Sequence, residues 1–142
     1  MTPPEADDES SERSGPGRRE ARERAVELIF EADAKTCTPN ELLDDLPAAP
    51  VDYTAEVVAG VGDHWVAING VIDTYADGWT INRMPAVDRA LLRLAVYELL
   101  HRDDVPTAVV LDEAVELAKE YSTENSARFV NGLLAAVAAA HR

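Results

Sequence analysis

Cys37 is the only cysteine in the chain. An internal disulfide and a thiolate zinc site are therefore both excluded, and the residue reads as a free core or loop thiol. Aromatic residues make up only 6% of the sequence, so Ala, Val and Leu must build the core, which favours helices. No apolar run approaches the roughly 18 residues that a membrane span needs. The start of the chain is acidic and Ser-rich, unlike a secretion signal. These absences predict a soluble, cytoplasmic protein without a membrane partner.

The signatures of catalysis are missing too. There is no phosphate-binding loop, no zinc-protease helix motif, no dinucleotide turn and no serine elbow. His64, His101 and His141 lack ligand partners one helical turn away. Asp112, Glu113, Glu116 and Glu120 suggest a carboxylate metal site, but bundle sites of that kind pair inward-facing Glu with His. Here the four carboxylates are expected to face solvent. The sequence therefore predicts no enzyme, no metal and no cofactor.

What is present is charge, unevenly placed. The net charge is −14 over 142 residues, a length that suits one domain. Residues 1–12 carry five acids and no base, residues 13–24 carry five arginines and two glutamates, and the remainder holds twenty acids against eight bases. Such acidity argues against a general polyanion binder. The short basic island can still act on a phosphate backbone within a Debye length of about 8–10 Å.

The chain is organised around Val87–Leu100, VDRALLRLAVYELL. Ten of these fourteen residues are apolar or Tyr, and only Asp88, Arg89, Arg93 and Glu98 are charged. Apolar residues cover most of the circumference, so the helix should be contacted from several sides. Asp88, Arg89 and Arg93 form a polar wedge expected to reach the surface. Pro85 starts the helix, and Asp103–Asp104 and Pro106 follow its end.

Residues 1–17 (MTPPEADDESSERSGPG) have almost nothing to bury and are predicted to be a disordered acidic tail. From Arg18 a helix begins, RREARERAVELIFEADAK. Ala21, Ala25, Leu28, Ile29 and Ala32 form its core face. Beside them Arg18, Arg22, Val26 and Phe30 fall on one ridge, flanked by Arg19 and Arg24. Two arginines and an aromatic can hold phosphates and stack a base; a solvated Arg/Glu surface with Phe30 in the core is the other reading. Cys37–Pro50 reads as a loop with one helical turn, and Val51–Tyr75 as largely helical, with Gly60, Gly62 and Gly70 allowing close helix approach. Thr107–Tyr121 is amphipathic, with Tyr121 inward and Glu113 outward. Ser122–Ser126 supplies cap residues, and Ala127–Ala140 forms the last helix. The fold class is all-α, with six to seven helices in two packed subdomains, about 18–76 and 79–142, making one domain over 18–142.

Three blocks carry a resemblance: RREARERAVELIF, VDRALLRLAVYELL, and DVPTAVVLDEAVELAKEYSTENSARFVNGLL, in that order and spacing. Together they resemble the bacterial transcription antitermination factor NusB family. The resemblance implies a non-enzymatic factor that pairs with NusE, the small-subunit ribosomal protein. The pair binds single-stranded boxA RNA of nascent ribosomal RNA transcripts and acts with other Nus factors and RNA polymerase. It implies RNA-binding roles for Arg18, Arg19, Arg22, Phe30 and Phe129, and a NusE-facing surface at Asp88, Arg89, Glu124 and Asn125, which could also support a homodimer. Three positions depart from the family pattern: Glu20 replaces a base, Phe30 a common Tyr, and Asn125 an acid. The alternative is an acidic helical adaptor that binds protein and has little RNA affinity.

Overall fold

The computed structural model describes residues 16–142; all but the end of the expected disordered tail lies outside them. Among the described residues there are seven α-helices and no strand. They are α1 (Pro16–Lys35), α2 (Pro39–Asp45), α3 (Asp52–Asp63), α4 (Trp65–Tyr75), α5 (Ala86–His101), α6 (Thr107–Tyr121) and α7 (Glu124–His141), with a single 3₁₀ turn at Ile81–Arg83 before α5.

α5 is the axis of the molecule. It packs against α1, α3, α4, α6 and α7, and Leu91, Leu92, Val96 and Leu99 are fully enclosed. Each such side chain contributes about 1.5–3 kcal/mol by leaving water. The C-terminal carbonyls of α5 have no partner within the helix. Arg142 supplies one: its guanidinium donates to the carbonyl oxygens of Glu98, Leu99 and Arg102 at 2.8–3.0 Å and to that of Val105 at 2.7 Å.

The predicted helical stretch Val51–Tyr75 is two helices, broken at His64 (φ −112°, ψ 26°). Its apolar spacing runs through the break, which is why periodicity alone does not reveal it. Two of its glycines have a packing reason. A Cβ on Gly60 would strike the Tyr97 ring of α5, and one on Gly62 would strike Asn40 of α2, whereas Gly70 faces open space. α2 is closed by a capping box in which Thr38 Oγ1 accepts from Glu41 N and Glu41 Oε1 accepts from Thr38 N. At the start of α7, Thr123 Oγ1 accepts from Ser126 N at 3.0 Å, the capping role expected of the Ser122–Ser126 segment.

The polar wedge of α5 differs from expectation. Asp88 and Arg93 are buried, not at the surface. Asp33 of α1 accepts from Arg89 at 3.0 Å and from Arg93 at 3.3 Å. Arg93 also donates to Asn69 of α4 at 2.9 Å and lies over the Trp65 ring. Burial pulls the Arg93 pKa down while the Asp33 charge holds it up. Arg89 and Arg93 thus form a seam tying α5 to α1 and α4: partners on neighbouring helices replace the water that a charged side chain otherwise requires.

Candidate nucleic-acid interface

α1 carries the arginines that the sequence singles out, and the structure divides them between two faces. Arg22 is 1% exposed. Its Nε donates to both carboxylate oxygens of Glu98, at 2.9 and 3.3 Å, and the Tyr53 hydroxyl donates to the same carboxylate. Burial, and then the Glu98 charge, push the Tyr53 phenol well above its ordinary range, so it remains a donor. Arg18 lies over the Tyr53 ring, 3.6 Å from its centroid. Arg102 approaches the same ring at 4.9 Å and is tied to Glu56 and Asp104. Val26 is also buried.

The expected ridge Arg18–Arg22–Val26–Phe30 is therefore not a continuous outer surface. The row turns toward α3 and α5 because Glu98, an acid buried in the central helix, needs a cation opposite it. Arg22 in this position does not reach a phosphate outside.

Arg19 and Phe30 do face outward. They are eleven residues apart, close to three full helical turns, so they share one face about 16 Å long. The Arg19 side chain is 53% exposed and pairs with Glu113 at 2.9 Å; Phe30 is 39% exposed. Glu113 corrects another expectation: it is buried, turned inward under Arg19. Tyr121 corrects a third. It is 46% exposed, and its hydroxyl donates to Glu23 of α1 at 3.2 Å. An aromatic at the last position of an amphipathic helix fits the apolar stripe, yet the chain turns away there and leaves its ring open. An open groove of about 830 Å³ runs between α6 and α7 from Arg19 past Lys119 to Glu124 and Arg128.

At the start of α7 the remaining candidates meet. Asp88, Asn125 and Phe129 line one pocket of about 220 Å³ together with Trp79, Met84 and Pro85. Trp79 is the residue that sequence reasoning missed. The turn before it uses positive φ at Asp77 (44°) and Gly78 (89°), a region where glycine carries no steric cost. Asp73 then pins the connector by accepting from Ile81 N at 3.0 Å. Trp79 stands 6.0 Å from Phe129, tilted by 47°. The only sequence signal for it is a tryptophan at the head of the short connector Trp79–Arg83, WTINR.

The surface assigned to a protein partner is mixed. Glu124 and Asn125 are exposed, with Asn125 Oδ1 accepting from Arg128 at 3.1 Å. Arg89 is largely engaged with Asp33 and the Met84 carbonyl. Asp88 opens only into the pocket.

The sequence pattern of the NusB family matches residues 19–139. The chain belongs to the NusB family. The transcription antitermination protein NusB of Acidothermus cellulolyticus is 52% identical over 128 residues, 87% of this chain and 88% of that protein. That of Beutenbergia cavernae is 49% identical over 131 residues, 82% and 86% of the two chains. Among solved structures, T. maritima NusB superposes with a TM-score of 0.78 at 35% identity, covering 87% of this chain and 92% of that one. A structure of the antitermination factors NusB and NusE in complex with dsRNA gives a TM-score of 0.74 at 28% identity, covering 87% and 96%. The NusB family is one of transcription antitermination proteins, not of enzymes, and the all-α fold is the family's own. Among the described residues no helix is long and apolar enough to cross a membrane.

Proposed function

We propose that this chain is a cytoplasmic transcription antitermination factor. It binds the boxA element of nascent ribosomal RNA transcripts together with NusE, and works in assembly with other Nus factors and RNA polymerase. The observation that carries the proposal is the family match over nearly all of the described chain, joined to a related structure that holds NusB, NusE and RNA together. The side chains that support it are the outward-facing Arg19 and Phe30 of α1 and Phe129 of α7, which lines a pocket. Arg19 contacts phosphate; Phe30 and Phe129 offer faces on which splayed bases stack. Arg18 and Arg22 act one layer below, by holding α1 against α3 and α5. Glu124 and Asn125 belong to the NusE-facing side.

The burial of Arg22 favours a second reading, a protein-binding adaptor with little RNA affinity. One titration separates them: boxA RNA and a scrambled control at one stated salt concentration, with and without NusE. Specific boxA binding that tightens with NusE supports the antitermination role. Binding to NusE with no RNA preference supports the adaptor.

A further inference from the structure

The chain enters the fold beside the open groove between α6 and α7. α1 begins at Pro16, and Arg19, one turn later, lines the groove together with Lys119 and Arg128. These three cations are incompletely neutralised. Arg19 is half in water above Glu113, Lys119 approaches Glu116 only to 3.8 Å, and among the described residues Arg128 meets the neutral Asn125. Asp112, Glu116 and Glu124 also line the groove, so its six charges balance, in a chain whose net charge is −14. An acidic segment meets less repulsion here than over the acidic body of the chain. The floor leaves room for one. Ala127 is buried, a Cβ on Gly132 would meet nothing within 4 Å, and the open volume is about 830 Å³.

Such a segment is tethered next to the groove. Residues 1–12 carry five acids, Glu5, Asp7, Asp8, Glu9 and Glu12, and no base. They lie outside the described residues, but the length of chain before Pro16 sets their reach. Its fifteen residues span about 50 Å when extended, enough to bring all five carboxylates over the groove. A short tether holds a segment at an effective concentration on the order of millimolar, at which even weak ion pairs compete. Arg19 is the phosphate contact of the RNA-binding face proposed above. A carboxylate paired with Arg19 and a phosphate on the same guanidinium exclude each other.

We propose that residues 1–12 dock in this groove on Arg19, Lys119 and Arg128 and hold the RNA-binding face in a self-inhibited state, which RNA must displace. The inference rests on the RNA-binding reading given above and adds its regulation. A segment that occupies the groove about nine-tenths of the time lowers the apparent RNA affinity about tenfold. Salt screens the ion pairs of the segment as it screens those of RNA. The inhibition is therefore strongest at low ionic strength and fades as salt is added.

The test compares the parent chain with a full-length variant carrying Glu5→Gln, Asp7→Asn, Asp8→Asn, Glu9→Gln and Glu12→Gln. Affinity for boxA RNA is measured with and without NusE at low and at high salt, and amide NMR spectra are recorded without RNA. The variant is expected to bind RNA about tenfold more tightly at low salt, with the gap closing at high salt and NusE affinity unchanged. Its amide signals should move at Lys119, Arg128 and Gly132 and stay in place in α2 and α3. Equal RNA affinities for the two proteins at low salt would overturn the inhibition. Tighter RNA binding by the variant with unmoved groove signals would overturn the docking and assign the effect to long-range repulsion. Changed NusE affinity with unmoved groove signals would overturn it in favour of a contact with the partner. Moved groove signals with no RNA binding by either protein, with or without NusE, would leave the docking standing and overturn the RNA reading.

Discussion

Arg19 and Arg22 stand three residues apart on the same helix and live in different solvents. Arg22 is enclosed, held by Glu98, and shares that carboxylate with Tyr53. Arg19 is mostly in water, with Glu113 paired beneath it. Below α1 lies a sealed seam of charge; above it lies an open face with Phe30 and Tyr121. Spacing along a helix states which residues share a row. The neighbouring helices decide which row is covered, and here Glu98 draws one row of arginines inward. The same residue type is therefore a structural clamp at one position and a candidate ligand contact at the other.

Breaking the seam should have the largest effect. Glu98→Ala leaves the Arg22 guanidinium buried without its main partner and the Tyr53 hydroxyl without an acceptor. Removing one member of a buried pair typically costs about 3–5 kcal/mol, and urea unfolding should show a loss of that order. Arg22→Met, which keeps the volume and removes the charge, should lose stability without changing RNA affinity in the fraction that remains folded. Breaking the open face should give the reverse pattern. Phe30→Ala and Phe129→Ala should each weaken boxA RNA binding by about tenfold or more, the scale of one lost base stack of about 1–3 kcal/mol; filter binding with NusE present would read it.

Arg19→Ala should weaken RNA binding evenly across sequences. It should also lower the slope of log affinity against log salt by about 0.7–0.9, as expected for one lost phosphate contact. Smallest of all is the effect at His101, whose ring stacks on His64 at 3.9 Å and lies near Tyr97 and Asp103. Burial, and then the His64 charge, lower the His101 pKa from 6.5. The neutral form is thus favoured in the fold. That contribution is fully present above pH 6.5 and is lost as the pH falls through the lowered value. The unfolding temperature of the parent chain should drop more between neutral and mildly acidic pH than that of His101→Gln.

Much of the fold was legible in the sequence because its signals are local or repeated. The all-α class follows from helical spacing, and the central place of α5 from apolar residues on every side of Val87–Leu100. The cap at Thr123 follows from residue type. What was not legible depends on pairs distant in sequence. Nothing near Arg22 announces Glu98, and nothing near Arg93 announces Asp33. The outward faces of Arg19 and Phe30 agree with the sequence ridge only in part, since the row between them is turned in. Trp79 escaped notice because its exposure is set by a turn, Asp77–Gly78, and its meaning by Phe129 on another helix.

The division of α1 into a clamp and a contact face is best tested by measuring stability and boxA affinity in parallel for Arg19→Ala and Arg22→Met. The account predicts a crossover. Arg19→Ala should lose RNA affinity and keep its unfolding midpoint, while Arg22→Met should lose stability and, when folded, bind RNA as the parent does with NusE present. Folded Arg22→Met protein that has lost boxA binding, beside Arg19→Ala protein that binds normally, would contradict it.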